Sequence, residues 1–222
     1  MTRVLVVGAG GLGGPIAMAL ASSGVATRIC DSDSVELSNL QRQIQFTIDD
    51  LGKAKASALA ERVRDRGHEA VESANRPFES ATAASLLHGV DLVIDGSDSF
   101  ATKFEVNDQA ARRAIPAVIA SAIGTGGQVV AVAPGGGCYR CFFEEPPERE
   151  TGSCANAGIV GATCAVIAGE AVRAASALLA GESVDPLVVY DDVTGAAEPR
   201  RIQFEPRPGC TACAPREKDR AS

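Results

Sequence analysis

The glycines between residues 8 and 13 follow an apolar stretch, and their spacing suits phosphate binding. The run G-A-G-G-L-G contains Gly8, Gly10, Gly11 and Gly13, and Asp31 comes 18 residues after Gly13. Glycines let the backbone approach a phosphate, and the N–H groups that open a following helix carry partial positive charge. A carboxylate at Asp31 can accept hydrogen bonds from ribose hydroxyls. The run predicts a nucleotide site, but NAD, FAD, S-adenosylmethionine and ATP all fit it, and a glycine turn without ligand is the alternative.

A second polar group adds cations to the predicted nucleotide site. The hexapeptide S-N-L-Q-R-Q at residues 38–43 contains Ser38, Asn39 and Arg42, and Lys55 follows thirteen residues after Arg42. A dehydrogenase has no need of these cations. An enzyme that cleaves ATP between the α- and β-phosphates does, because pyrophosphate departs with growing negative charge. Taken singly, Arg42 could be a surface arginine and Lys55 a solvated helix lysine.

The sequence D-G-S-D-S at residues 95–99 follows the apolar run D-L-V-I-D. Ligands of open α/β sheets bind at the carboxyl ends of the strands, so this segment belongs beside the glycine run. Asp98 is placed there to hold Mg²⁺ on the phosphates. An equally supported alternative is that Asp98 or Ser99 caps the next helix.

Four of the seven cysteines form two C-x-x-C pairs, Cys138 with Cys141 and Cys210 with Cys213. Two such pairs predict a tetrahedral four-cysteine zinc site, which is structural because four thiolates leave no open position for water. The zinc would staple the C-terminal segment to the rest of the fold. A redox role for the pairs is the alternative.

Cys154 lies in G-S-C-A-N-A-G, after a segment rich in Glu and Pro and just before the longest predicted helix. A helix N-terminus lowers the pKa of a thiol and favours the nucleophilic thiolate. Cys154 is therefore a candidate catalytic cysteine, with a semi-exposed cysteine beside a helix cap as the alternative. Cys30 and Cys164 lie in apolar runs and are predicted to be core residues.

Composition narrows the class of protein. The chain has 222 residues, 45% of them hydrophobic, and a net charge of −7. This charge argues against nucleic acid and against an anionic membrane surface as partners. We expect no membrane-spanning segment, since no apolar run approaches the ~20 residues required. With no signal-peptide pattern at the start, we expect a cytoplasmic protein.

The order of apolar and amphipathic stretches predicts a three-layer α/β/α fold with one mixed sheet of Rossmann type. Strands and helices alternate up to residue 121, which predicts a parallel sheet, and a Gly-rich turn too short for a helical crossover then predicts antiparallel neighbours. We expect one domain over residues 1–222, with a nucleotide-binding half at about 1–121, a second half with the zinc site at about 122–213, and a disordered tail at 214–222. The predicted strands are 3–7, 27–30, 69–74, 91–95, 117–121, 128–133, 187–190 and 201–204, and the predicted helices are 12–23, 52–66, 81–87, 102–113 and 158–180, with an exposed loop at 143–151.

From about residue 3 to residue 213, the chain resembles the adenylation domain of the ThiF/MoeB/HesA family, shared by thiamine and molybdopterin sulfur-carrier adenylyltransferases and ubiquitin-activating enzymes. The glycine run, Asp31, the S-N-L-Q-R-Q hexapeptide, Lys55 and Asp98 carry this resemblance. It implies ATP, Mg²⁺ and structural zinc as cofactors. It also implies that the chain adenylates the C-terminal Gly-Gly carboxylate of a small ubiquitin-like sulfur carrier and releases pyrophosphate. The carrier would bind the half at about 122–213, which also holds the zinc site. The nucleotide-binding residues that the resemblance implies are Gly8, Gly10, Gly11, Gly13, Asp31, Ser38, Asn39, Arg42, Lys55, Asp98 and Ser99.

The resemblance also sets expectations about partners. Relatives usually begin with a helical segment that sends an arginine into the ATP site of a dimer neighbour, whereas here the first predicted strand begins at Arg3. We still expect a homodimer, and we expect sulfur to come from a separate donor protein. Two alternatives remain: a non-catalytic carrier-binding partner of the same fold, and an NAD-dependent oxidoreductase.

Overall fold

In the computed structural model, which describes residues 1–146, 158–195 and 197–213, the strands form one mixed sheet. Eight strands within these residues lie in the spatial order β3-β2-β1-β4-β5-β6-β7-β8. The neighbours from β3 to β5 are parallel, and those from β5 to β8 are antiparallel, as the sequence predicts. The strands are β1 Arg3–Val7, β2 Ala26–Cys30, β3 Val71–Ala74, β4 Leu92–Asp95, β5 Ala117–Ile123, β6 Gly126–Val132, β7 Leu187–Tyr190 and β8 Arg200–Ile202.

The change from parallel to antiparallel pairing takes place at a two-residue turn. Ile123 pairs with Gly126, so only Gly124 and Thr125 connect β5 to β6. Gly124 has a φ of 57°, a left-handed conformation that glycine adopts without steric cost. So short a connection leaves no room for a crossover helix, which forces the two strands to run antiparallel.

Helices cover both faces of the sheet, which confirms the predicted three-layer arrangement. Alternate residues of β1 enter separate cores, with Val4 and Val6 on one face and Leu5 and Val7 on the other. The first core is completed by α1, α2 and α6, and the second by α3, α4 and α5. The helices are α1 Gly13–Ser22, α2 Lys55–Arg64, α3 Ser80–Leu86, α4 Phe100–Arg112, α5 Tyr139–Phe143 and α6 Gly161–Ala180, with short 3₁₀ helices at Leu37–Asn39 and Ile48–Asp50.

Two helices begin later than the sequence predicts, because a glycine with positive φ precedes each of them. Gly52 has a φ of 80° and Gly158 a φ of 68°, values incompatible with a helix interior. The sequence also gave no indication of α5, whose residues Tyr139–Phe143 overlap the predicted exposed loop at Phe143. The rest of that loop from residue 147, and the predicted disordered tail, lie outside the described residues.

The expectation that no apolar segment reaches membrane-spanning length was wrong. Helix α6 has 20 residues, and its most apolar window has a mean hydropathy of 1.4, enough by length and composition to cross a bilayer. Half of that window is buried inside the protein. Ile167, Ala171 and Ala175 belong to the core that also holds residues of β5 and β6. We therefore read α6 as a core helix.

Candidate functional site

A cavity of about 620 Å³ opens at the carboxyl ends of β1 and β4. In the sheet order these two strands are neighbours although they are distant in sequence, and such a switch point is where open α/β sheets bind ligands. Most of the predicted nucleotide-binding residues line this cavity, namely Gly8, Gly10, Gly11, Asp31, Arg42, Lys55, Asp98 and Ser99.

The glycine run turns sharply between β1 and α1. Gly8 has a φ of 88°, and its N–H donates to the carbonyl of Cys30 on β2 at 2.8 Å. Gly13 does not line the cavity in the described structure; a Cβ there would lie 1.8 Å from the carbonyl oxygen of Gly8. Gly13 is therefore required so that α1 can pack closely on the loop, while Gly8, Gly10 and Gly11 form the cavity wall.

Asp31 braces the glycine loop from the end of β2. One carboxylate oxygen accepts the N–H of Ala9 at 2.6 Å, and the other accepts the N–H of Asp33 at 2.7 Å. Burial raises the pKa of Asp31, while the two N–H groups and the nearby Lys55 oppose that shift. The carboxylate thus reaches the cavity from the position predicted for a ribose contact.

Lys55 and Arg42 reach the cavity from the long connection between β2 and α2. Lys55 is the first residue of α2 and is only 7% exposed, so the solvated-lysine alternative is wrong. Its Nζ lies 2.9 Å from a carboxylate oxygen of Asp33, whose side chain is mostly exposed. The helix dipole opposes a cation at a helix N-terminus, and the ion pair with Asp33 offsets this cost.

Ser38 and Asn39 are not among the residues that line the cavity. Asn39 is buried in the 3₁₀ helix Leu37–Asn39, where its side chain accepts the N–H of Glu36 at 3.4 Å. Ser38 is exposed, and its hydroxyl donates to the Glu36 carboxylate at 3.3 Å. In this arrangement both residues shape the turn that presents Arg42, and their predicted contact with a nucleotide stays a prediction.

The two interpretations of residues 98 and 99 separate in the structure. Ser99 is the N-cap of α4, where its hydroxyl oxygen accepts the N–H of Thr102 at 3.3 Å. Asp98 is exposed at the cavity and does not make this cap contact. Its carboxylate is therefore available to bind a metal ion that is held by phosphate groups.

A buried lysine on α4 was not predicted. Nζ of Lys103 donates to a carboxylate oxygen of Asp95 and to the carbonyls of Ser97 and Ala120, each at 2.7 Å. Asp95 also accepts the Ser97 hydroxyl at 2.7 Å. This network joins the end of β4 to Ala120 of β5 and to Ser97, the residue before Asp98. No sequence signal marks Lys103, because a single lysine on a helix is usually solvated.

The antiparallel half supplies the far wall of the cavity. Gly126, Gly127 and Gln128 of β6 line it together with Tyr190 of β7. A Cβ at Gly127 would lie 2.6 Å from the side chain of Ile167, and one at Gly126 would lie 2.9 Å from the carbonyl of Asp191. Packing inside the protein thus excludes side chains at these two positions, and this part of the cavity wall is backbone.

The two C-x-x-C pairs meet, as predicted. Their four Sγ atoms lie within 4.8 Å of one another. Cys138 is 3.8 Å from Cys141 and 3.6 Å from Cys210, and Cys141 is 3.4 Å from Cys213. Four sulfurs at 2.3 Å around a tetrahedral zinc would be about 3.8 Å apart, so the cluster fits such an ion.

The structure describes two of the three remaining cysteines. Cys154 lies outside the described residues, so its predicted catalytic role stays a prediction. Cys30 and Cys164 are 1% and 2% exposed and belong to the two cores, which confirms that part of the prediction. Both also line the cavity. Burial raises the pKa of Cys30 to about 12, which makes it a poor nucleophile.

Comparisons with known sequences agree with this geometry. The SAMP-activating enzyme E1 of Haloferax volcanii is 36% identical over 218 residues, covering 96% of this chain and 80% of that protein. The sulfur carrier protein ThiS adenylyltransferase of Escherichia coli is 34% identical over 220 residues, covering 96% and 86%. The adenylyltransferase and sulfurtransferase MOCS3 of Sus scrofa is 39% identical over 224 residues, and the chain spans 48% of that longer protein.

Solved structures support the fold. The crystal structure of Escherichia coli MccB with ATP matches with a TM-score of 0.80 at 21% identity, covering 96% of this chain and 67% of that one. At that identity the match shows the fold alone. The ThiF family profile matches residues 1–212, which span the glycine loop, the cavity and three of the four clustered cysteines. This chain therefore belongs to the ThiF family.

Proposed function

We propose that the protein is an adenylyltransferase that uses ATP to activate the C-terminal Gly-Gly carboxylate of a small ubiquitin-like sulfur carrier. The observation that carries the proposal is the convergence of the glycine loop, Asp31, Arg42, Lys55 and Asp98 on one cavity. The Escherichia coli relative is named as a sulfur carrier protein ThiS adenylyltransferase, and the Sus scrofa relative as an adenylyltransferase and sulfurtransferase. An NAD-dependent oxidoreductase would leave the two cations and the exposed carboxylate without a role.

The chain's own residues suit an attack of a carboxylate on the α-phosphate of ATP. A carboxylate oxygen forms a bond to the α-phosphorus, the bond to the bridging oxygen breaks, and pyrophosphate leaves with the electron pair. Arg42 and Lys55 hold positive charge at the cavity, where they would stabilise the negative charge that builds on pyrophosphate. Asp31 would fix the ribose, and the N–H groups of Gly10 and Gly11 would face a phosphate.

Mg²⁺ fits the donor at Asp98, an exposed carboxylate on the cavity side of the α4 cap. A bound Mg²⁺ ion would neutralise phosphate charge there. Zinc is the metal we propose for the four-cysteine cluster, because four thiolates with these separations match its preferred geometry.

The carrier's tail has a matching path on the antiparallel side. Gly126 and Gly127 line the cavity without side chains of their own, and we propose that the Gly-Gly tail of the carrier lies along them. We further propose a homodimer in the cytoplasm and a separate sulfur donor, serving thiamine or molybdenum cofactor synthesis.

The test is ATP–pyrophosphate exchange that depends on Mg²⁺ and on a carrier ending in Gly-Gly. We expect Arg42→Ala, Lys55→Ala and Asp98→Ala each to lower exchange by about 10²-fold, the scale of losing a preorganised charge contact. Arg66→Ala is the matched control, because it removes an exposed cation that does not line the cavity.

Three outcomes are decisive. Loss of exchange in the three variants with retention in Arg66→Ala supports the assignment of the cavity. Normal exchange in all three would remove the phosphate roles. A wild-type protein that binds the carrier without any exchange would instead be a non-catalytic partner subunit.

A further inference from the structure

We propose that Gln45 is a positioning residue that sets the orientation of the glycine loop toward ATP. Gln45 is buried, with 4% of its surface exposed, and it lies outside the cavity wall. It comes from the connection between β2 and α2, two residues beyond the S-N-L-Q-R-Q hexapeptide. This inference rests on the proposed function and adds to it a residue that acts through the loop rather than on the nucleotide.

The amide of Gln45 clamps two successive carbonyls of the loop. Its Nε2 donates to the carbonyl of Ala9 at 2.9 Å and to the carbonyl of Gly10 at 3.0 Å. Both protons of the amide nitrogen are therefore used. The opposite orientation of the amide would bring its oxygen against the same two carbonyl oxygens, so the chemistry allows one arrangement only.

Fixing these carbonyls also fixes the N–H groups that face a phosphate. In a trans peptide the C=O and the following N–H point in opposite directions. Because the carbonyls of Ala9 and Gly10 point at Gln45, the N–H groups of Gly10 and Gly11 point away from it. Gly10 and Gly11 line the cavity and Gln45 does not, so these N–H groups face the cavity side.

The loop is held from both sides. The N–H of Ala9 donates to Asp31 at 2.6 Å, while its carbonyl accepts from Gln45. The two side chains therefore define the orientation of the peptide units on either side of Ala9. Loss of Gln45 leaves the Asp31 contact intact but lets the Ala9–Gly10 peptide rotate.

Two further observations show that the fold is built around this amide. A Cβ at Gly14 would lie 2.3 Å from Nε2 of Gln45, so the second residue of α1 must be glycine to leave room for it. The oxygen Oε1 of Gln45 is buried and has no hydrogen-bond partner among the described residues. An unpaired buried acceptor is costly, and leucine or methionine would avoid that cost if the side chain only filled space.

The decisive variant is Gln45→Met, which keeps the length of the side chain and removes its donors. We expect the Kd for ATP to rise about tenfold, the scale of two lost neutral hydrogen bonds. The KM for ATP in pyrophosphate exchange should rise with it, while the KM for the carrier stays at the wild-type value. Val63→Ala, a buried substitution on α2 away from the cavity, is the control for loss of stability alone.

A double substitution separates positioning from packing. Gly14→Ala should displace the amide and weaken ATP binding by a similar factor, although alanine is the better helix former. The variant carrying both Gly14→Ala and Gln45→Met should bind ATP no more weakly than the worse single variant, because both act through the same two hydrogen bonds.

The results divide cleanly. Weaker ATP binding in Gln45→Met, with tight binding in Val63→Ala at equal thermal stability, supports the inference. Wild-type ATP affinity in Gln45→Met, or multiplying losses in the double variant, overturns it while leaving the proposed function intact. A wild-type protein that does not bind ATP would overturn both.

Discussion

At the residue scale, Lys55 and Lys103 show two uses of a buried lysine beside the same cavity. The ammonium group of Lys103 donates hydrogen bonds to Asp95 and to two backbone carbonyls, so all three of its donors are occupied. Lys55 has a side-chain ion pair with Asp33, whose carboxylate is largely exposed and free to move. Lys103 is therefore a framework residue, and Lys55 is the lysine suited to a phosphate.

We predict that Cys154→Ser keeps the adenylation activity but loses the covalent step with the carrier. Adenylation needs no thiol, so ATP–pyrophosphate exchange should stay near the wild-type rate. A covalent adduct with the carrier, detected by mass spectrometry, should disappear, together with any thiocarboxylate formed through it.

Two results would contradict this division. A loss of exchange as large as that of Arg42→Ala would place Cys154 in the ATP site or in the framework. Full thiocarboxylate formation by the variant would show that the protein passes its adenylate directly to a separate sulfur donor.

At the scale of elements, the connection between β2 and α2 carries Arg42 and Gln45 and leads into Lys55, the first residue of α2. Asp50 anchors it: its carboxylate oxygens lie 2.9 Å from Lys53 and 2.7 Å from Arg62 of α2. Burial by itself would raise the pKa of Asp50, but hydrogen bonds from Lys53, the N–H of Thr47 and Arg62 outweigh it and hold the pKa at about 2. The anchor therefore remains ionised throughout the neutral range.

This depressed pKa predicts how stability depends on pH. The folded-state pKa lies below the ordinary value of 3.8, so the contribution is present above pH 3.8 and is lost as the pH falls toward 2. Because Lys53 and Arg62 are partly exposed, we expect it to be about 1 to 2 kcal/mol rather than the full value of the shift.

The measurement is the free energy of unfolding from denaturant titrations between pH 5 and pH 2 in wild type and Asp50→Asn. We expect the two curves to converge toward the acid end. Asp49→Asn is the control, because its exposed carboxylate pairs with neither Lys53 nor Arg62. Parallel curves for wild type and Asp50→Asn would contradict the assignment.

At the scale of the whole molecule, the four-cysteine cluster joins segments that lie 72 residues apart in sequence. It is also tied to α4, the helix that begins beside Asp98: Asn107 accepts the N–H of Tyr139 at 2.8 Å, and Asp108 pairs with Arg140 at 2.7 Å. The metal-binding end of the fold and the phosphate end therefore share one helix.

We predict one zinc ion per chain and a large loss of thermal stability when it is removed, since metal binding and folding are coupled. Cys138→Ser should lose the metal and unfold at a lower temperature, whereas Cys30→Ala should keep one zinc ion per chain. Elemental analysis of protein purified without chelators, alongside thermal unfolding, is the measurement. Protein that contains no zinc, or that is equally stable after chelation, would rule out a structural metal.

The sequence by itself determined the kind of sheet and most of the chemistry. Apolar runs ending in glycine or aspartate predicted the strands, because a buried parallel strand needs apolar residues on both faces. The glycine run and the two cations predicted the nucleotide site, and the two C-x-x-C motifs predicted the zinc site. These signals are local, so the sequence alone displays them.

The tertiary structure decided which of those residues meet. It placed Asp98 at the cavity, made Ser99 the cap of α4, and left Ser38 and Asn39 outside the cavity lining. It also revealed Lys103 and Gln45, whose partners lie on other elements of the fold. A lone lysine or glutamine has no distinguishing pattern in a sequence, because its role depends on which distant carbonyls and carboxylates the packing brings within hydrogen-bond distance.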